Sequence, residues 1–256
     1  MTALCKTEIV GDVSASLDMT NKASGATRTL FTSLDVYHDI DSRSAALNMA
    51  IDEAFFETAK VPTIRFYQWD HPALSFGYFG KFDDVAAHNR DIVRRWTGGG
   101  IVFHGDDLTY SIVIPATDVA FGESSMQIYA NVHQAISSAL ATHGTTAPAL
   151  YEGRPEKGSA VIDRRYNPAL CFSNPVQNDV VANGRKIAGA AQRRNRHGLL
   201  QQGSIQNVEF RDGFADSFAN ALSVNCEPKH MDGALLARAK EIATQKYGTD
   251  AWLRRR

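Results

Sequence analysis

The sequence predicts an α+β domain, a mixed β-sheet flanked by helices. Three observations carry that reading. Residues 41–60, DSRSAALNMAIDEAFFETAK, place Leu47, Ile51, Ala54, Phe55 and Thr58 at helical spacing. TIRFYQW, residues 63–69, alternates as a strand does. Asn183 and Gly184 are the preferred pair for a two-residue hairpin turn, whose central residues both need positive φ. Between these segments, helix and strand signals mix without the regular alternation of a parallel βαβ sheet.

Taken in order, residues 1–30 are polar and rich in Ser and Thr, the composition of a flexible tail, and residues 31–256 read as one domain. Asp41, Ser42 or Ser44 is placed to cap the first helix. After the first strand, DHP turns the chain into a second apolar run, ALSFGYFG. DDVAAHNR reads as a short helix, and DIVRRWTGGG runs into a glycine loop. IVFH and LTYSIVIP read as two strands, the second ending at Pro115. A helix follows, with Ile128, Val132, Ile136 and Leu140 on one stripe and Gly144 as its stop. Residues 145–168 lack periodicity and read as a loop. The hairpin then sets Lys186 at the start of its second strand, GSIQNV suggests another strand, and GALLARAKEIATQKYG closes with a helical pattern.

Composition excludes several classes. A formal net charge of -1 implies no global attraction to nucleic acid. No apolar run approaches the roughly 18 residues of a membrane span, and the N-terminus lacks a basic start followed by an apolar block. Cys5, Cys171 and Cys226 are far apart and form no CxxC pair, which argues against a disulfide framework and for a cytoplasmic setting. The eight histidines show no ligand spacing, so no metal is expected.

The most informative stretch is RRWTGGGIVFHGDDLTYS, residues 94–111. Three successive glycines cost backbone entropy and supply nothing to pack. A surface turn is the bland explanation. Bare amides next to Arg94 and Arg95 also suit an anion or an acyl phosphate, and glycine lets an apolar chain lie flat against main chain. No Gly-Lys-Ser/Thr follows, so this is not a P-loop, and no GxGxxG opens a helix. The loop alone does not choose between its uses.

Four ordered motifs do more. NMAIDEA, IRFYQWDHPALSFGYFGK, RRWTGGGIVFHGDDLTYSIV and GRKIAGAAQRR…LLQQGSI resemble the lipoate-protein ligase and octanoyltransferase family, relatives of the biotin-protein ligases. The resemblance runs from about Leu34 to Ile205, and YGTDAWLRRR resembles the family's C-terminal end. It implies the biotin/lipoyl ligase type of catalytic domain. It also implies attachment of an octanoyl or lipoyl group to the ε-amine of a lysine on a lipoyl carrier domain, of the glycine-cleavage H protein or dehydrogenase E2 type. By this resemblance Arg94, Arg95, Thr97, Gly98, Gly99 and Gly100 line the acyl site, Lys186 holds the acyl carbonyl, and Gly189 and Ala190 of the same motif lie beside it. An ammonium there would stabilise the oxyanion formed as the amine attacks.

Two chemistries stay open at this level. A transferase takes the acyl group from an acyl carrier protein onto a cysteine, and Cys171 resembles that nucleophile in position, with the Lys186 charge favouring its thiolate. A ligase instead makes lipoyl-AMP from ATP with Mg. DLTYS and FHG resemble the transferase branch, whereas Asn178 and Asp179 resemble the ligase. Neither needs a permanently bound cofactor. Gln202 stands where the family usually shows histidine, and a neutral amide does not titrate; a non-catalytic acyl or lipoyl-domain binder is the third reading. His104 is placed to orient a substrate group or to serve as a hydrogen-bonded strand residue. Asp52 and Glu53 either contact a loop or face solvent, and Trp69, Phe76 and Phe79 are wall or core.

Overall fold

The computed structural model describes residues 29–153 and 175–255. Nearly all of the N-terminal segment expected as a tail, and Cys171, lie outside the described residues.

The α+β expectation holds. Among the described residues an eight-stranded mixed sheet runs in the order β11-β1-β2-β6-β10-β9-β8-β7, and a three-stranded sheet in the order β4-β3-β5. The large sheet comprises β1 (Leu34–His38), β2 (Thr63–Tyr67), β6 (Leu108–Pro115), β7 (Ala149–Leu150), β8 (Val180–Ala182), β9 (Arg185–Asn195), β10 (Gly198–Ile205) and β11 (Cys226–Lys229). The small one comprises β3 (Ala73–Phe76), β4 (Asp91–Arg94) and β5 (Val102–His104). Helices are α1 (Ala45–Thr58), α2 (Ser125–Thr142), α3 (Phe214–Leu222), α4 (Gly233–Ile242) and α5 (Asp250–Leu253).

Local chemistry sets the ends of these elements. Ser44 caps α1 by accepting from the Leu47 amide, and Ser124 caps α2 through the Gln127 amide. Asn183 and Gly184 both have positive φ, 50° and 73°, as the hairpin between β8 and β9 demands. Gly144, at φ 90°, follows the last turn of α2. The helix expected over DDVAAHNR is only a 3-10 turn, Phe82–Asp84. With Val85 as its one fully buried residue, this segment has no apolar stripe to hold a longer helix against the core.

Strand alternation divides the large sheet into two unlike faces. One carries Ile64, Phe66, Tyr110, Ile112, Ile114, Leu199 and Ile205, buried against Ile128, Val132 and Ile136 of α2 and Phe214 and Phe218 of α3. The other carries Arg65 and Tyr67 of β2, Thr109 and Ser111 of β6, and Gln202 and Ser204 of β10, cross-strand partners in register. That face is covered by α1, and α4 packs on the far side of α1.

Candidate active site

The polar face is held by a buried carboxylate. Asp52, on the inner side of α1, accepts from Arg65 Nη1 (2.9 Å), Ser111 Oγ (2.7 Å), Tyr67 OH (3.0 Å) and Gln202 Nε2 (2.7 Å). Arg65 is fully buried and also reaches Asp39 Oδ2 (2.7 Å) and Asn48 Oδ1 (2.6 Å). The solvent-facing alternative for Asp52 is therefore wrong: its carboxylate is 0% exposed and neutralised by an equally buried guanidinium. Glu53 turns the other way, to Lys246 Nζ (2.8 Å) and Tyr247 OH (2.5 Å). Gln202 extends the network outward, its Oε1 accepting from Thr97 Oγ1 at 2.8 Å. A neutral amide that accepts from Thr97 and donates to Asp52 ties the glycine loop to α1.

A second chain of hydrogen bonds ends on the same loop. Arg95 donates to the carbonyls of Gly98 (3.0 Å) and Gly100 (2.8 Å) and to Ser75 Oγ (2.7 Å). Ser75 Oγ lies 2.6 Å from His104 Nε2, and His104 Nδ1 lies 2.8 Å from Asp107 Oδ2. The partners fix the protons. His104 gives its Nδ1 hydrogen to the carboxylate and accepts from Ser75 through Nε2. Burial pushes the Asp107 carboxyl up, but His104, Ser204 and the Gly105 amide outweigh it and hold it below the ordinary range. His104 also stacks on Trp69, with ring centroids 4.1 Å apart. Ser75, His104 and Asp107 share the connectivity of a hydrolytic triad, yet Ser75 is 0% exposed, so here the chain serves to position Arg95.

The bare main chain of the loop is used on both sides. Gly99 has φ 81°, and a Cβ there would meet Ala191 Cβ at 3.1 Å. A Cβ at Gly77 would overlap the carbonyl oxygens of Gly98 and Gly99. The loop is thus sandwiched between the end of β3 and the face of β9.

Arg94, the neighbour of Arg95, points elsewhere. It donates to the carbonyls of Tyr78 (2.8 Å), Gly80 (2.7 Å), Trp252 (3.0 Å), Leu253 (2.9 Å) and Arg255 (2.8 Å). Its guanidinium thus ties the strand end to α5 by capping the helix's last carbonyls.

Lys186 reaches the loop side through a bulge. Val181 pairs with Lys186 but Val180 pairs with Ala188, leaving Ile187 as an extra residue in β9. The insertion reverses the alternation, so Lys186 shares a face with Gly189, Ala191 and Arg193. The side chain crosses Gly189, where a Cβ would stand 2.5 Å from Lys186 Nζ. Nζ lies 2.8 Å from Asp179 Oδ2, a carboxylate with 0% exposure. Asp179 is held in turn by Tyr129 OH on Oδ1 (2.6 Å) and by the Val176 amide on Oδ2 (2.7 Å). Burial and the Asp179 charge push the Tyr129 hydroxyl up, which keeps it a donor. The same hydroxyl accepts from the Ala190 amide at 3.1 Å, just past the end of β8. Asn178 sits at φ 68°, and its carbonyl accepts from His133 Nδ1 at 2.6 Å.

The structure brings together Arg95, Thr97, Gly98, Gly99, Gly100, Lys186, Gly189 and Asp179 on one face of the sheet. Ala190 faces the opposite way, with only its amide engaged, and His104 acts from behind Arg95. Trp69 and Phe76 are core, and Phe79 is 87% exposed. Sequence reasoning missed Arg65, Ser75, Asp107 and Tyr129. The alternating TIRFY pattern was the available signal for Arg65, since its parity puts that arginine on the helix-facing side.

A mixed sheet with a glycine loop braced against its β9–β10 ladder defines a catalytic domain of the lipoate-protein ligase type. Two solved structures share that fold. One is a T. acidophilum structure described as a lipoate protein ligase, with bound lipoic acid: TM-score 0.64, 19% identity, covering 87% of this chain and 98% of that one. The other is a lipoate-protein ligase A bound with ATP: TM-score 0.61, 20% identity, with the same coverages. Residues 44–245 match the family described as the lipoyl protein ligase A/B catalytic domain, and the chain belongs to that family. Among curated relatives it is similar to the octanoyltransferase LipM of Halalkalibacterium halodurans, 31% identical over 86% of this chain and 99% of that protein. It is 39% identical to the LipM of Oceanobacillus iheyensis over 65% of this chain and 63% of that protein.

Proposed function

We propose that this chain transfers an octanoyl group to the lysine amine of a lipoyl domain, as an acyltransferase of lipoyl-protein assembly. The relatives named octanoyltransferases along nearly their whole length support transfer over ATP-dependent ligation. The observation that carries the residue assignment is Lys186. Its ammonium is held on a buried carboxylate, above a glycine, and on the face where the glycine loop meets β9.

Converting a thioester to an amide is downhill and needs no activating nucleotide. The enzyme must hold the acyl carbonyl, stabilise the oxyanion and let the amine lose a proton. In this reading Cys171 takes the octanoyl group from an acyl carrier protein, releasing the carrier thiol, and the target amine then displaces the cysteine thiolate. Lys186 donates to the carbonyl oxygen as charge builds there, with Asp179 fixing its direction. Arg95, braced by Ser75, His104 and Asp107, holds the glycine loop so that main chain rather than side chains borders the acyl group. The acceptor is a lipoyl domain of the glycine-cleavage H protein or dehydrogenase E2 type.

The test is intact-mass spectrometry of wild type and Cys171→Ala after exposure to octanoyl carrier protein, followed by apo lipoyl domain. Wild type is expected to gain one octanoyl mass and pass it on, and Cys171→Ala to do neither. Equal transfer by both would remove the thioester route. Transfer that required ATP and free octanoate would restore the ligase reading.

A further inference from the structure

Lys186 is itself a primary amine, the same nucleophile that the acceptor brings. In the transfer reading its Nζ donates to the octanoyl carbonyl oxygen across about 3 Å. The carbonyl carbon then lies close to the range of about 3–3.5 Å from which a nucleophile attacks, and a group held so has an effective molarity of about 10⁵–10⁸ M. At neutral pH roughly one ordinary lysine in 10³ is uncharged. Even that fraction would outrun an acceptor domain at ordinary protein concentrations, and the enzyme would acylate itself and stop. Orientation alone does not prevent this, since the hydrogen bond that serves the reaction also aims Nζ at the carbonyl.

The charge beside the amine does prevent it. Nζ lies 2.8 Å from Asp179 Oδ2, in an ion pair whose carboxylate is 0% exposed and whose lysine side chain is 11% exposed. An opposite charge at this distance favours the charged form of an amine, and an ammonium has no lone pair to attack with. Both carboxylate oxygens are used as acceptors, Oδ1 from Tyr129 OH (2.6 Å) and Oδ2 from the Val176 amide (2.7 Å). Tyr129 OH accepts from the Ala190 amide in turn, so its one hydrogen goes to Asp179. The backbone makes room for the pair: a Cβ on Gly189 would stand 2.5 Å from Nζ and 3.2 Å from Asp179 Oδ1. His133, packed on the Tyr129 ring, gives its hydrogen to the Asn178 carbonyl, and burial pushes it down to about 4, so it brings no charge to compete for the carboxylate.

We propose that Asp179 is a selectivity residue of the transfer: it keeps Lys186 Nζ an ammonium and so bars the enzyme's own lysine from taking the octanoyl group meant for the acceptor lysine. The proposal rests on the transfer reading and gives the charge of Asp179 a purpose beyond aiming the side chain. Without that charge the neutral amine attacks the thioester carbonyl carbon. A bond forms from Nζ to that carbon, the carbon–sulfur bond breaks, and the proton lost by the amine leaves with the thiolate as a thiol. The product is an octanoyl amide on Lys186, which an acceptor amine does not displace.

The test loads the full chain, wild type and Asp179→Asn, with octanoyl carrier protein in the absence of lipoyl domain. Both are then treated with neutral hydroxylamine, which cleaves thioesters and spares amides, and intact mass and peptide mapping read what remains. Wild type is expected to lose its octanoyl group, and Asp179→Asn to keep one on Lys186. With lipoyl domain present, the variant is expected to begin turning over and then stop, its loss of activity tracking the octanoyl on Lys186. A variant that is merely misshapen is slow from the first turnover and keeps that lysine unmodified. Asp179→Asn carrying only hydroxylamine-labile octanoyl overturns the proposal. A second measurement needs neither the cysteine nor the carrier protein. Each chain, its folding checked by its melting transition, meets the N-hydroxysuccinimide ester of octanoate, and labelling of Lys186 is scored against exposed Lys60. That ratio is expected to rise about tenfold or more in Asp179→Asn. An unchanged ratio, or a wild-type Lys186 that reacts as readily as Lys60, overturns the proposal. Asp179→Ser repeats both arms should Asp179→Asn fail to fold. Wild type that takes no octanoyl from the carrier protein, with the labelling ratio rising as expected, sinks the transfer reading and not the hold of Asp179 on the amine.

Discussion

The two faces of the large sheet are built from the same strands, one residue out of step, and they do opposite work. Toward α2 and α3 lie Ile64, Ile112, Ile114, Leu199 and Ile205, whose stability comes from burial and whose exact chemistry matters little beyond volume. Toward α1 lie Arg65, Tyr67, Ser111, Thr109, Gln202 and Ser204, where each polar group has a named partner and losing one strands another. One face holds the chain folded. The other holds a loop and a lysine in place.

That contrast is open to direct attack. Phe218, 0% exposed, packs edge-on against Phe66 and Tyr110. Phe218→Ala is expected to cost about 3–5 kcal/mol in denaturant unfolding, with kcat unchanged for the fraction that remains folded. Lys186→Met is expected to lower kcat about 10²–10³-fold, and it also lowers the melting midpoint, because it leaves the Asp179 carboxylate buried without its cation. Gly189→Ala refines that test. The added methyl displaces the far end of the Lys186 side chain and crowds Asp179 Oδ1 at 3.2 Å, so kcat is expected to drop by at least about tenfold with a smaller loss of stability than Lys186→Met, since the ammonium is moved and not removed.

His133 crosses from the apolar side, and pH probes it. The ring is fully buried, faces Tyr129, Asp179 and Lys186, and gives its one hydrogen to the Asn178 carbonyl. Burial pushes its pKa down from 6.5 to about 4. Between those values the unfolded chain takes up a proton that the folded chain refuses. The contribution is therefore complete above pH 6.5 and lost progressively as pH falls toward 4, by about 3 kcal/mol in total. His133→Phe is expected to flatten that part of the stability curve; an unchanged slope would place the titration elsewhere. The smallest effect is expected at Gln202→Leu, about 1–2 kcal/mol from leaving Thr97 and Asp52 each short of a partner, seen chiefly as a raised KM for the acyl donor.

What the sequence disclosed follows the same division. The α1 stripe, the Asn183-Gly184 turn and the glycine loop were legible because each is written in neighbouring residues. β1, α3 and β11 were not read. LDVYH and CEPK are short and carry Asp35, Glu227 and Pro228, and FADSFANAL is only nine residues long. The strand expected over GSIQNV starts earlier, at Gly198, because LLQQ is buried on both sides and shows no alternation. The site was legible as letters and not as pairs. Asp52 and Arg65 are 13 positions apart, and Thr97 and Gln202 are 105 apart, so their partnership exists only once the sheet has formed. Arg94 and Arg95 look interchangeable in sequence; strand alternation sends one guanidinium to α5 and the other to the loop.

The supernumerary Ile187 has a consequence for how this hairpin tolerates length changes. It works as a parity switch. Removing it would keep the letters Lys, Gly, Ala and Arg in order yet turn the ammonium toward the face that packs on α2, away from the glycines. Two chains differing by that one deletion would share an architecture and, on the role proposed for Lys186, are expected to differ in transfer rate.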